Sequence, residues 1–102
     1  MTGLIKIDAV EPLEGYWLRL TFSDGAVIDV DVGEVLERGG VFSAIRADRT
    51  VFEQVRVNPE TRTIQWPGDV DLDPEVLYGR FERGSGVTIT RRTVRQPTPA
   101  HA

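Results

Sequence analysis

The sequence predicts a small α+β domain: an antiparallel β-meander plus a second hairpin, packed with short helices. Three observations carry that expectation. Residues 4–32 alternate apolar and polar side chains in three stretches separated by turn residues. A second alternating pair, "VRVN" and "TIQW", flanks Pro59, Glu60, Thr61 and Arg62. Between and after these lie short stretches with helix-start and helix-stop residues.

In order, "LIKIDAVEP" reads as a first strand that ends at Pro12. In "YWLRLTF", Tyr16, Leu18, Leu20 and Phe22 point to one face, and Trp17, Arg19 and Thr21 to the other. Ser23, Asp24 and Gly25 make the turn, with Asp24-Gly25 expected to supply the positive backbone angles of a tight hairpin. "AVIDVDV" returns with Ala26, Ile28, Val30 and Val32 inward and Asp29 and Asp31 on the polar face. Asp31 and Glu34 have capping-box spacing, Val30 and Val35 are placed as a staple, and Gly39-Gly40 ends that short helix. "VFSAI" is apolar and short, without an assigned element. A helical turn capped by Asp48 is expected to bury Val51 and Phe52. The second hairpin offers Val55, Val57, Ile64 and Trp66 as inward residues. The last helix, "PEVLYGRFER", has Asp73 at the N-cap, Pro74 at its first position and Glu75 at the positive end of the dipole. Leu72 and Leu77 form a staple, Leu77 and Phe81 begin the apolar stripe, and Gly84-Ser85-Gly86 closes the helix. The expected division is one domain over 1–83. Residues 84–102 follow as a basic, proline-containing tail, with an edge strand at 87–90 and otherwise disordered.

The chain has 102 residues, 40% of them hydrophobic and 27% charged. That is enough for one modest core, which buries roughly two thirds of the unfolded surface. No apolar run approaches the ~18 residues of a membrane span, and "MTGLIKIDAV" lacks the basic and apolar regions of a signal peptide. There is no cysteine, so disulfides, thiolate chemistry and sulfur-ligated metals are excluded together. A cytoplasmic protein is expected. Residues 1–83 hold nine Lys and Arg against sixteen Asp and Glu, a net of −7, while 84–102 carry Arg91, Arg92 and Arg95 and no acid. The body should repel nucleic acid, whose binding depends on phosphate neutralisation, and leaves the tail arginines as its candidate contact.

Candidate chemistry is sparse. Asp69, Asp71 and Asp73 alternate like the start of a calcium loop, but Pro74 stands where that loop needs glycine and Arg80 where it needs a bidentate Glu. Asp69 and Asp71 are kept only as weak cation candidates, and no metal or cofactor is expected. The single His, His101, stands one residue from the end of the sequence given, away from any orienting partner. Ser85 lacks the spacing of a nucleophile elbow, and neither glycine cluster opens a helix as a phosphate loop does. An enzyme is therefore not expected. Trp17, beside Arg19 on the outer face of its strand, has two readings. It is an interface anchor, since Trp and Arg dominate binding hot spots, or it is covered by the C-terminal helix or a loop.

The stretches "YWLRLTFSDGAVIDVDVGEVLERGGVFSAI", "VFEQVRVN" and "TIQWPGDVDLDPEVLY" resemble the bacterial family catalogued as domain of unknown function 2442, over about residues 5–80. Phe22, Asp24, Gly25, Phe42, Phe52, Val55, Trp66, Pro67, Asp71, Leu72, Pro74, Leu77 and Tyr78 occupy its motif positions. Gly68-Asp69-Val70 stands where the family more often has Asn-Gly-Ala, which shifts the glycine by one. The resemblance implies a small α+β domain that acts as a binding module, antitoxin-like toward a small co-encoded protein. The expectation is a non-enzymatic protein-interaction domain with Trp17 and Arg19 as anchors. Its acidic body would favour a basic partner. The alternatives are a nucleic-acid-associated regulator acting through Arg91, Arg92 and Arg95, or a small-ligand or cation-binding domain. Self-association through an edge strand is a further reading.

Overall fold

The computed structural model describes residues 5–68, 70–78 and 89–97. They form two antiparallel sheets and four short helices, so the expected α+β class is what is observed. The first sheet has the order β1-β2-β3-β7, from Ile7–Pro12 (β1), Trp17–Phe22 (β2), Val27–Asp31 (β3) and Thr90–Arg95 (β7). The second has the order β4-β5-β6, from Arg56–Val57 (β4), Ile64–Trp66 (β5) and Val70–Leu72 (β6). Between the sheets in sequence come Gly33–Leu36 (α1), a 3-10 turn at Gly40–Phe42, Ser43–Ala47 (α2) and Arg49–Phe52 (α3); Pro74–Tyr78 (α4) follows β6. No helix among the described residues is long and apolar enough to cross a membrane.

The meander follows from alternation. Leu18, Leu20 and Phe22 on β2 and Ile28 and Val30 on β3 are buried, as are Ala26 and Val32 at the ends of β3. The turn at 23–25 is a three-residue loop in which Gly25 (φ 91) alone is left-handed. Its N–H donates to Phe22 O at 2.9 Å, and Asp24 Oδ1 accepts from Ala26 N at 2.9 Å. Two positive angles were expected; the third loop residue relieves Asp24 of that strain.

Asp31 also departs from its expected role. The N-cap position of α1 falls on Val32, and Asp31 Oδ1 accepts from Gly33 N at 2.9 Å, an Asx turn rather than a capping box. Asp48 does cap α3, accepting from Thr50 N, and Phe52 is fully buried with Val51 half-buried beside it. "VFSAI" turns out helical, divided between the 3-10 turn, where Val41 is 67% exposed, and α2, which is anchored inward by Ile45. Strand β6 went unassigned in sequence; it is three residues long, reached through Gly68 (φ 90), and pairs Val70 with Trp66.

Strand β7 corrects the expectation for the tail. A strand runs over Thr90–Arg95, and Arg91, Arg92 and Arg95 belong to it rather than to a disordered segment; residues 87 and 88 of the expected edge strand lie outside the described residues. The expected helix over 74–83 is seen as Pro74–Tyr78. Phe81, the stop at 84–86 and Asp69 lie outside the described residues.

The core lies between the inner face of the first sheet and the second sheet with its helices. Trp66, 1% exposed, donates its Nε1–H to Phe52 O at 3.0 Å, and Phe52 takes the edge of Tyr16 at 5.6 Å between centroids. The two sheets are also stitched by Arg62, which is left-handed (φ 61) in the β4–β5 turn. Its carbonyl accepts from Ile7 N at 3.0 Å, its Nε donates to Ile7 O at 3.2 Å, and it ion-pairs with Asp8.

The motif residues meet one another. The Tyr78 ring stands edge-on to Phe22 at 4.8 Å, and its hydroxyl donates to Asp24 Oδ2. The "FSDG" turn is thereby clamped to the end of the "WPGDVDLDPEVLY" stretch. Tyr78→Phe is expected to cost about 1 kcal/mol. In a denaturant double-mutant cycle with Asp24→Ala, the two losses should couple, because one bond carries both. Strictly additive losses would show that the bond is not formed in solution.

Candidate functional site

The turn at 23–25 sets the β2–β3 register: Trp17 stands opposite Asp31, and Arg19 opposite Asp29. Strand β7 then brings Arg92 opposite Asp29 from the other side, and β1 brings Glu11 opposite Arg19. A charged row thus crosses the outer face of the sheet. Asp29 lies at its centre, fully buried. Arg19 Nε and Nη2 donate to Asp29 Oδ1 and Oδ2 at 2.8 and 3.1 Å, and Arg92 Nη2 donates to Oδ2 at 2.7 Å. The Arg92 guanidinium reaches past Asp29 and lies 4.9 Å from the centre of the Trp17 ring, a cation–π contact.

Electrostatics follow the geometry. The Arg19 hydrogen bond, helped by that of Arg92, holds the Asp29 carboxyl below the ordinary carboxylate range, although burial pushes it the other way. The same bond raises the Arg19 guanidinium further above its usual value. One carboxylate serves two guanidinium groups, so the trio keeps a charge of +1. The buried acid fixes where the two guanidinium groups lie relative to Trp17.

Beside Trp17 and Arg92 the surface dips into an open hollow of about 390 Å3, walled by Leu13 and Glu14. Its wall is held from behind. Arg49 bonds the carbonyls of Leu13 and Gly15, pairs with Glu53 at 2.9 Å and lies 4.8 Å over Phe52. A second hollow, about 520 Å3, opens on the other side of the 13–16 turn between Tyr16, Arg46 and Arg49. The Tyr16 hydroxyl donates to Arg46 O at 2.9 Å there.

The sequence candidates sort as follows. Trp17 and Arg19 share the outer face, Trp17 half-buried under Arg92. Of the tail arginines, Arg92 joins that face. Arg91 turns to the opposite one, where its Nε donates to Leu77 O at 2.8 Å and its Nη1 to Ile89 O at 3.1 Å. Arg95 is exposed opposite Val27. Asp71 is exposed opposite Gln65, and the described residues hold no group of three or more metal-ligating side chains.

Two contributors escaped the sequence reading. Asp29 had a signal, an acid inside an apolar strand with an arginine directly across the hairpin. Arg49 had none for its hold on the 13–16 turn, because the Leu13 and Gly15 carbonyls it bonds lie more than thirty residues away.

Compared with known proteins, residues 7–83 match the family model described as "Protein of unknown function (DUF2442)". A solved structure, that of a protein from Nitrosomonas europaea ATCC 19718 named "Putative DNA Binding Protein", is 30% identical with a TM-score of 0.66. The match covers 76% of this chain and 50% of that one, so this chain corresponds to about half of its neighbour's length. No curated protein matches the chain.

Proposed function

The chain belongs to the DUF2442 family, and from that membership we propose that it is a non-enzymatic binding domain, acting in the cytoplasm, that docks a protein partner on the outer face of its four-stranded sheet. The supporting observation is the Trp17–Arg92–Asp29–Arg19 cluster. Tryptophan and arginine are the side chains most enriched in interface hot spots, and here a buried carboxylate holds them in place before any partner arrives. A chain without cysteine and with a single histidine supports the non-enzymatic part of the reading. The antitoxin-like pairing with a small co-encoded protein is the specific form it takes.

A second reading, contact with DNA, draws on the name of the Nitrosomonas europaea neighbour and on the outward Arg19, Arg92 and Arg95. Against it stand the net −7 of residues 1–83 and the acids Glu11, Glu14 and Asp31 around those arginines.

Tagged wild type and Trp17→Ala, used as bait in the native host with and without nuclease, separate the two. A stoichiometric protein that survives nuclease and is lost with Trp17→Ala, at unchanged melting temperature, is the expected result. Equal capture by both baits would remove this face from the interaction. Nucleic acid that vanishes with nuclease would favour the second reading.

A further inference from the structure

Resting on the reading that the outer face docks a protein, we infer what that protein presents there: an acidic side chain next to an apolar one. The carboxylate is received between Arg19 and Arg92, and the apolar group sits against Trp17 in the hollow walled by Leu13. Arg19 spends Nε and Nη2 on Asp29, and Arg92 spends Nη2. Among the described residues, Arg19 Nη1 and Arg92 Nε and Nη1 have no protein acceptor. The two side chains are 41% and 61% exposed, so these donors are reachable from solvent. Each of these N–H groups can give a carboxylate oxygen a charge-assisted hydrogen bond, and Asp29 already orders the side chains that carry them. The apolar half follows from the hollow of about 390 Å3, which has room for a branched aliphatic or aromatic side chain beside the indole.

The surroundings choose a carboxylate on a peptide over a nucleic-acid backbone. Glu11 stands opposite Arg19, Asp31 opposite Trp17, and Glu14 walls the hollow. A repeating polyanion laid across this face would meet those acids at every step, whereas a single carboxylate can sit on the solvent side of Arg19 and Arg92, where Asp29 leaves the trio a charge of +1.

The test pans a random peptide library against the wild type, Arg92→Lys and Trp17→Ala. The enriched peptide, its Glu→Gln analogue and a short DNA duplex are then titrated into 15N-labelled protein. Two indole N–H signals are followed: Trp17 reports on the face, and buried Trp66 is the internal reference. The expected result is enrichment of Asp or Glu beside Leu, Ile, Val or Phe. Such a peptide should shift Trp17 and leave Trp66 in place, with binding weakened about tenfold by Glu→Gln or by Arg92→Lys. Arg92→Lys keeps a cation beside Asp29, so the loss is not one of folding. Enrichment of basic or uncharged peptides, no enrichment above Trp17→Ala, equal binding of the Gln analogue, or a Trp17 shift with the duplex alone would each overturn the inference. If Trp17→Ala still abolishes capture of the native partner, only the partner's chemistry is wrong; if capture is also unchanged, the docking reading fails with it.

Discussion

Trp66→Ala is expected to cost about 4 kcal/mol, in the range of large-to-small substitutions at fully buried aromatics. For a domain whose total stability is on the order of 5–15 kcal/mol, that is most of the margin. The ring is 1% exposed, lies 6.2 Å from Phe52 between centroids and is the largest fully buried side chain described. Its removal leaves a cavity between β5 and α3 and leaves Phe52 O with the longer bond from Val55 N alone, at 3.3 Å. The midpoint of thermal unfolding should fall by roughly 20 °C, taking about 4–8 °C per kcal/mol for a chain of this size. Trp66→Phe separates the two contributions. It keeps most of the volume and loses the Nε1–H bond to Phe52 O, so a smaller loss of about 1–3 kcal/mol is expected. A melting temperature unchanged in Trp66→Ala would mean that the second sheet does not pack as described.

Asp29→Asn is expected to lower stability by about 2 kcal/mol near neutral pH. Breaking a fully buried ion pair costs more, but both arginines are partly exposed and can recover water, which discounts the figure. The residual cost arises because an amide turns one donor toward guanidinium groups that are donors themselves. The pH dependence has a definite sign. Asp29 is held below its unfolded value, so its contribution is complete above the ordinary carboxylate value of about 4 and is lost as pH falls through the lower, folded value. The gap in melting temperature between wild type and Asp29→Asn should therefore be constant above about pH 5 and narrow in acid. A gap that widens in acid would contradict the assignment of a depressed Asp29. Because Arg92 is placed over Trp17 by this carboxylate, Asp29→Asn should also weaken partner capture through the outer face.

The motif stretch "WPGDVDLDPEVLY" illustrates how local signals serve a tertiary end. Trp66 fills the core, Asp73 O accepts from Leu77 N at 3.1 Å in the first turn of α4, and Tyr78 reaches back to Asp24 and Phe22. Trp66, Leu77 and Tyr78 of that stretch have structural work, and the chemistry worth testing lies elsewhere, on the opposite face of the first sheet.

Alternation was enough to place β1, β2 and β3, because a side-chain period of two against one buried face leaves no other arrangement for "WLRLTF" and "VIDVD". The 23–25 turn also set their register, and hence Arg19 opposite Asp29. The cap at Asp48, the start of α4 at Pro74 and the inward Val55, Ile64 and Trp66 were equally local. What local pattern leaves open is the partner of a strand with no apolar face. "TRRTVR" has one apolar residue, Val94, and that one is half-exposed. It becomes β7 through the β3 ladder, through Arg91 on the carbonyls of Leu77 and Ile89, and through Arg92 on Asp29. Those contacts span up to sixty-eight residues, from Val27 to Arg95, and no periodicity encodes them. The same distance hid the candidate site: Trp17 and Arg19 are read from β2 alone, but the cluster exists only when folding brings Arg92 over the ring and closes two guanidinium groups on one buried acid.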